Sequence, residues 1–153
     1  MTISDILGAD RVASGVTFTS KKKALEELST LLALGQPSLS AHDVLSSLTA
    51  REKLGSTGLG RGVAIPHGRL AGVNQSIGAI MRLKHPLDYD AHDSTRVDLM
   101  FGLIVPQTAT EEHLKHLAAI AEMFSDEAFC ARLRSADDSA QLHALVAQYT
   151  PAH

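Results

Sequence analysis

His67 is the side chain that its neighbours in this sequence best prepare for chemistry. It closes the run Gly55-Ser-Thr-Gly-Leu-Gly-Arg-Gly-Val-Ala-Ile-Pro-His67-Gly-Arg69, between Pro66, which fixes φ, and Gly68, which frees it. This mounting predicts a histidine presented at a loop edge rather than packed in a core. Imidazole titrates near neutral pH, so His67 can act as a neutral nucleophile or as a proton carrier. Arg51, Arg61 and Arg69 are its nearby candidate cations, and the arginine fork matches phosphate oxygens.

The glycines point towards phosphate but complete neither nucleotide motif. Gly55-x-x-x-x-Gly60 opens like a P-loop. Arg61 and Gly62 then stand where the phosphate-binding lysine and the Mg²⁺-binding hydroxyl belong. Gly58-x-Gly60-x-Gly62 has the wrong third spacing for a dinucleotide fingerprint. Taken alone, the loop reads equally well as a flexible connection between a helix and a strand. Ser56 and Thr57 belong to no Gly-x-Ser-x-Gly elbow, and their expected role is to hold the loop or donate to an anion.

A second histidine stands out at 113. Successive helix residues turn by about 100°, so a buried stripe of Leu114, Leu117, Ala121 and Phe124 puts His113 about 40° from its centre and His116 at its edge. A histidine inside an apolar arc needs a partner. Two readings stay open: a core-edge imidazole bonded to a backbone carbonyl, or an imidazole facing a site at a helix N-terminus, where free N–H groups suit an anion. His113-x-x-His116 with Glu111 and Glu112 resembles part of a metal-ligand set. It is not His-Glu-x-x-His, and no cysteine pair supports it. His85, His92 and Asp93 read as loop residues. No metal and no cofactor is expected.

The elements that must position these groups follow from pattern and caps. Ser20 caps a helix over about 21–34 with Ala24, Leu25, Leu28, Leu31 and Leu32 on its apolar face, ended by Gly35. Ser40 and Asp43 resemble a capping box for a helix reaching about Glu52. After the Gly55–Gly62 loop, strands are expected over 63–65, over 76–83 stopped by His85-Pro86, and over 97–105. The last of these is apolar enough for burial on both faces. Thr110, Asp126 and Asp138 begin helices to about Phe124, Arg134 and Gln148. Residues before Ser20 read as a short leader. Helices distributed along a central strand set predict one α/β layered domain over 1–153.

Composition narrows the partners. A 44% hydrophobic content supports a core, and with only 4% aromatics and no Trp it must be aliphatic. The net charge of -3 argues against nucleic acid as a partner. The only like-charge run, Lys21-Lys22-Lys23, reads as a solvated first helical turn. Cys130 is the sole cysteine, which fits a reducing compartment. No signal peptide and no apolar run of about 18 residues is seen, so a cytoplasmic protein without membrane insertion is expected.

The stretch Arg51-Glu-Lys-Leu-Gly-Ser-Thr-Gly-Leu-Gly-Arg-Gly-Val-Ala-Ile-Pro-His67-Gly-Arg-Leu70 resembles the active-site signature of phosphotransferase-system enzyme IIA domains of the fructose/mannitol type, and most of all their stand-alone nitrogen-regulatory branch. Val97–Pro106 and Glu112–Leu117 fall where that family has its central strand and second histidine. The resemblance implies a mixed β-sheet flanked by helices on both faces. It implies that His67 accepts a phosphoryl group on Nε2 from the phosphohistidine of an HPr-like carrier. It also implies that His113 and Arg51 belong to the same site, with Ser56, Thr57, Gly58, Arg61, Gly68 and Arg69 in the surrounding phosphate and partner loop. Regulated targets, with potassium transport and sensor proteins among them, follow from the same resemblance. The sequence departs from relatives at Arg61, often a small or polar residue, and at Arg69, commonly Lys. Three other readings are weighed beside it: a sugar-specific IIA component that passes the group to a IIB domain, a binding module without phosphoryl transfer, and a metal-dependent hydrolase.

Overall fold

The computed structural model describes residues 3–91 and 93–149, so the expectation for His92 lies outside the described residues, as does that for the Glu112 side chain. The elements in chain order are α1 (Ile3–Ile6), β1 (Leu7–Val16), α2 (Lys21–Ala33), α3 (Ala41–Glu52), β2 (Gly58–Gly60), β3 (Val63–Ala64), β4 (His67–Leu70), β5 (Ile77–Leu87), β6 (Val97–Pro106), α4 (Glu111–Phe124), α5 (Glu127–Arg134) and α6 (Ser139–Ala147). One six-stranded sheet runs β1-β5-β6-β3-β2, with β4 also paired to β6. It is mixed: β1 lies parallel to β5, β5 antiparallel to β6, and both β3 and β4 parallel to β6.

Burial divides the helices between the two faces. Leu25, Leu28 and Leu32 of α2 and Val44 and Leu48 of α3 share a core with Ala79, Met81, Met100 and Ile104. Ile120 and Met123 of α4, Phe129 and Leu133 of α5 and Leu142 and Val146 of α6 share the other with Ile80, Leu99, Phe101 and Leu103. In β6 residues of both faces are buried, Met100 and Ile104 on one and Phe101 and Leu103 on the other, because each face carries a helical layer. The expected α/β layered fold is the observed one.

The capping residues act as their chemistry predicts. Ser20 accepts from Lys23 N, Ser40 from Asp43 N, Asp126 from Phe129 N and Asp138 from Gln141 N. Several strand expectations need correction. Residues 7–16 are β1, not a leader. A bulge hides its alternation: Leu7 pairs with Gly78 and the next partners are Val12 and Ile80, and Arg11 fills the gap by donating to Gly78 O (2.9 Å) and Ile6 O (3.1 Å). β5 continues through His85-Pro86 to Leu87, so His85 is a strand residue and not a loop residue. Pro86 sits there because β5 meets β6 irregularly between Arg82 and Leu87.

The run from Gly55 to His67 is also more ordered than a flexible loop. β2 and β3 form a hairpin, and its tip holds Gly60 (φ 91°), Arg61 (φ 57°) and Gly62 (φ 84°) in succession in the left-handed region. The spacing that fails as a nucleotide motif therefore serves this turn. From Val63 the chain follows β6 twice, as β3 opposite Leu99 and Met100 and as β4 opposite Leu103 to Pro106. Between the two stretches Pro66, lacking an N–H, still accepts from Leu103 N (3.0 Å). His67 is thus the first residue of a short strand at the sheet's margin and is half-buried, where a fully presented loop-edge residue was expected.

Candidate active site

A cleft of about 480 Å³ opens beside β4 and is lined from three directions. α3 supplies Ser47 and Arg51, β4 supplies His67, Gly68 and Arg69, and the first turns of α4 supply His113, Leu114 and Leu117. The two histidines and Arg51, separated by 62 residues of chain at their extremes (113 − 51), line one space.

His67 is fixed by its own local backbone. Its Nδ1 lies 2.8 Å from the carbonyl of Ile65, and a carbonyl can only accept, so Nδ1 carries the hydrogen and Nε2 the lone pair. Burial lowers the imidazole's pKa. The Ile65 hydrogen bond opposes that, the Arg51 charge adds to it and the Glu52 charge opposes it, and the balance stays below the ordinary histidine value. The ring is therefore a neutral base at pH 7 with its reactive nitrogen assigned.

His113 has the opposite tautomer. It occupies the third position of α4, where the backbone N–H of the cap residue Thr110 donates to Nδ1 (3.2 Å). The Thr110 hydroxyl sits at the same nitrogen (3.2 Å). Nδ1 is thus the acceptor, and the neutral ring carries its hydrogen on Nε2. A histidine has taken the place of Glu or Gln in a capping box. Of the two sequence readings, the imidazole at a helix N-terminus is the observed one, and the partner is a backbone donor rather than a carbonyl. The N-terminal end of α4, positive by its dipole, meets the same cleft.

The expected buried stripe of α4 is rotated. Ile120, Met123 and Phe124 are buried, and so is His116, whose Nδ1 meets Ser76 Oγ at 2.9 Å. Leu114 is 47% exposed. Leu114 and Leu117 face the cleft, and Leu117, Ala118 and Ala121 line a neighbouring hollow with Leu59, Thr57 and His67. Apolar residues on both sides of the helix defeated the periodicity. The His113-x-x-His116 pair is split, one ring in the cleft and one in the core, 6.1 Å apart edge to face. Among the described residues, no group of three or more His, Cys, Asp or Glu is arranged to hold a metal.

The remaining site residues separate into two sets. Arg51 donates to Gly55 O (2.9 Å), which stations the guanidinium at the cleft. Arg69 lines the cleft, and its carbonyl accepts from Ser47 Oγ (2.7 Å). Gly68 is where α3 comes closest: a Cβ there would lie 2.3 Å from Ser47 Oγ and 3.2 Å from the Ser47 carbonyl carbon and oxygen. Ser56 accepts from Gly58 N (3.1 Å), and Thr57 is buried. Arg61 is not brought to this cleft. It sits on the β2–β3 turn, its backbone N donates to Asp93 (2.9 Å), and its side chain pairs with Glu127 of α5 (3.1 Å). The expectation that it is a cation near His67 is corrected accordingly: the hairpin tip points it at α5.

One residue that sequence reasoning passed over stands directly behind the site. Glu52, at the last position of α3, has a side chain only 6% exposed and accepts from Thr57 and Tyr89. Its signal was a carboxylate in the last turn of a helix, where the dipole disfavours it, next to the arginine already singled out.

Comparison with known proteins gives the family and the fold. The family described as "Phosphoenolpyruvate-dependent sugar phosphotransferase system, EIIA 2" matches residues 5–149. The nitrogen regulatory protein of Pseudomonas aeruginosa is 44% identical over 144 residues, covering 94% of each chain. The crystal structure of nitrogen regulatory protein IIA-Ntr from Neisseria meningitidis superposes with a TM-score of 0.87 at 43% identity, covering 94% of this chain and 98% of that one. IIA mannitol from Escherichia coli shares the fold, with a TM-score of 0.75 at 20% identity over 91% of this chain and 97% of that one. Among the described residues, no helix is long and apolar enough to cross a membrane. The chain belongs to the EIIA 2 family of the phosphoenolpyruvate-dependent sugar phosphotransferase system, in the branch of the nitrogen regulatory IIA proteins.

Proposed function

We propose that this protein is a phosphohistidine carrier whose phosphorylation state selects its partners. The phosphoryl group comes from the phosphohistidine of an HPr-like carrier. The lone pair on His67 Nε2 forms the new P–N bond. The carrier's P–N bond breaks, and that electron pair returns to the carrier's imidazole. Positive character that develops on the His67 ring is stabilised through Nδ1–H by the Ile65 carbonyl. Arg51 and the His113 Nε2–H serve as donors to the equatorial oxygens, where phosphoryl transfer needs positioned positive charge more than covalent help.

The observation that carries this reading is the pair of opposed tautomers on one cleft. His67 presents a lone pair at Nε2, and His113 presents a hydrogen at Nε2.

A regulatory output is supported by the surroundings of the cleft. Leu54 (83%) and Leu114 (47%) at the cleft and Leu59 (51%) at the neighbouring hollow are exposed apolar residues, a surface suited to protein partners. Phosphorylation adds about -1.5 to -2 charges at that surface. A partner that docks on neutral leucines beside two arginines then meets an anion, and binding by the two forms diverges. Partner classes in potassium transport and sensing fit this proposal through the family branch.

The test is transfer from phosphoenolpyruvate through enzyme I and the HPr-like carrier, read by mass spectrometry of the intact protein. One added phosphoryl group on wild type and none on His67→Ala is the expected result. Equal labelling of both ends the proposal.

A further inference from the structure

We infer that Glu52 is a positioning residue for His67, acting through Thr57 and the backbone of Ile65. This rests on the reading of His67 as the phosphoryl acceptor. It adds a residue that neither touches the phosphoryl group nor lines the cleft.

The path is continuous. The Glu52 carboxylate accepts from Thr57 N (3.2 Å) and from the Thr57 hydroxyl, so Thr57 is held at two points. The Thr57 carbonyl accepts from Ile65 N (3.0 Å). The Ile65 carbonyl accepts from His67 Nδ1–H (2.8 Å). Each link anchors the residue that bears the next, and the last one decides which ring nitrogen keeps its lone pair. Without a fixed Ile65 carbonyl, the Nε2–H tautomer of His67 gains population, and the nucleophilic lone pair on Nε2 is lost for part of the time.

The carboxylate is itself over-determined. Tyr89 OH donates to it (2.8 Å), Lys21 Nζ pairs with it at 3.0 Å, and the same ammonium lies 4.3 Å from the centre of the Tyr89 ring. Burial pushes the Glu52 carboxyl up, but the bonds from Thr57, Tyr89 and Lys21 and the lysine's charge outweigh that, and it stays below the ordinary carboxylate value. Burial and the Glu52 charge together push the Tyr89 hydroxyl far up, so it remains a donor. A carboxylate with four donors from α2, the Thr57 turn and the segment after β5 is a costly way to fill space, since an apolar side chain would pack there without desolvation. Its charge has a second use. It faces Lys21 on α2 and Tyr89, and through space it opposes Arg51 in setting the proton affinity of His67.

The test reads His67 directly. In the ¹⁵N-labelled full chain, long-range proton–nitrogen spectra distinguish the protonated Nδ1 from the bare Nε2. In Glu52→Gln the amide cannot accept from Thr57 and Tyr89 while also pairing with Lys21, and the two nitrogen shifts of His67 are expected to converge. Phosphoryl acceptance is expected to slow about tenfold or more in its maximal rate, with the carrier's KM unchanged, because the nucleophile is misplaced and the docking surface is not. Tyr89→Phe removes one donor and keeps the ring, and is expected to move the shifts in the same direction by less. Leu142→Ala, in the core of α6, measures what lost stability does by itself, and is expected to leave the His67 shifts alone.

Folded Glu52→Gln and Tyr89→Phe proteins with unchanged His67 shifts overturn the inference. If Glu52→Gln does not fold, Tyr89→Phe decides by the same criterion. Wild-type protein that shows the Nδ1–H tautomer but takes no phosphoryl group refutes the carrier function instead, so the two failures are distinct.

Discussion

Gly68→Ala is the substitution whose cost the structure fixes most closely. Gly68 has no left-handed φ, so alanine meets no backbone penalty, and the whole effect comes from the approach of α3. The new Cβ would sit 2.3 Å from Ser47 Oγ and 3.2 Å from the Ser47 carbonyl carbon and oxygen. The hydroxyl can rotate away at the loss of its bond to Arg69 O, worth about 1 kcal/mol. The carbonyl cannot rotate, and α3 must retreat by a few tenths of an ångström. Overpacking of this kind costs about 1–3 kcal/mol, and the lower chain entropy of unfolded alanine returns about 0.4–1 kcal/mol. A net loss of about 1–3.5 kcal/mol in urea unfolding is expected. Ser47→Ala removes the closest atom of the clash, so the double variant Ser47→Ala/Gly68→Ala is expected to be less destabilised than the sum of the singles by about 1 kcal/mol. Arg51 lies one helical turn beyond Ser47, so Gly68→Ala also shifts the guanidinium, and phosphoryl acceptance is expected to fall by about tenfold. Strict additivity of the two substitutions, or an unaltered acceptance rate with α3 demonstrably displaced, refutes the argument that Gly68 is there to seat α3.

Three further outcomes follow from the same geometry. Arg51→Ala removes a donor and a charge that helps hold the His67 pKa down, so acceptance should slow by about a hundredfold and its acid limb should move to higher pH in a rate–pH profile. Arg61→Ala breaks an exposed pair with Glu127, so stability in urea should change by no more than about 0.5 kcal/mol and acceptance should be unchanged. Glu52 has a folded pKa below its reference value of 4.5, so its contribution to stability is complete above that pH and is lost as pH falls through the folded value; Glu52→Gln should flatten this acid slope in unfolding measured from pH 6 to pH 3.

Where local chemistry decides structure, the fold was readable from the sequence. The serine and aspartate caps at 20, 40, 126 and 138 each accept from the backbone N–H three residues on, a bond made within one turn. The apolar run in β6 required two helical layers, and it has them. Long-range pairing hid the rest. β1 is a strand only because β5 lies beside it, and its bulge, filled by Arg11, erases the alternation. β4 is four residues, His-Gly-Arg-Leu, with no β-propensity to announce it, and it exists because β6 offers a free margin beyond Pro66. For α4 the stripe of leucines suggested the core, but Leu114 is exposed at the cleft and Leu117 lies between cleft and core, because apolar residues occupy more of the helix than its buried face. His67, His113 and Arg51 were singled out by type and resemblance, and the structure places all three on the cleft. Glu52 and Tyr89 were passed over because their pairing closes across 37 residues of chain.

The proposed phosphoryl transfer turns on one atom, Nε2 of His67, and nitrogen NMR of the phosphorylated protein examines it most directly. After phosphoryl transfer from the HPr-like carrier to ¹⁵N-histidine-labelled protein, phosphorus coupling should appear on Nε2 of His67, with Nδ1 still bonded to the Ile65 carbonyl. Coupling on Nδ1, or on a ring of His113, contradicts the assigned tautomers and the mechanism built on them.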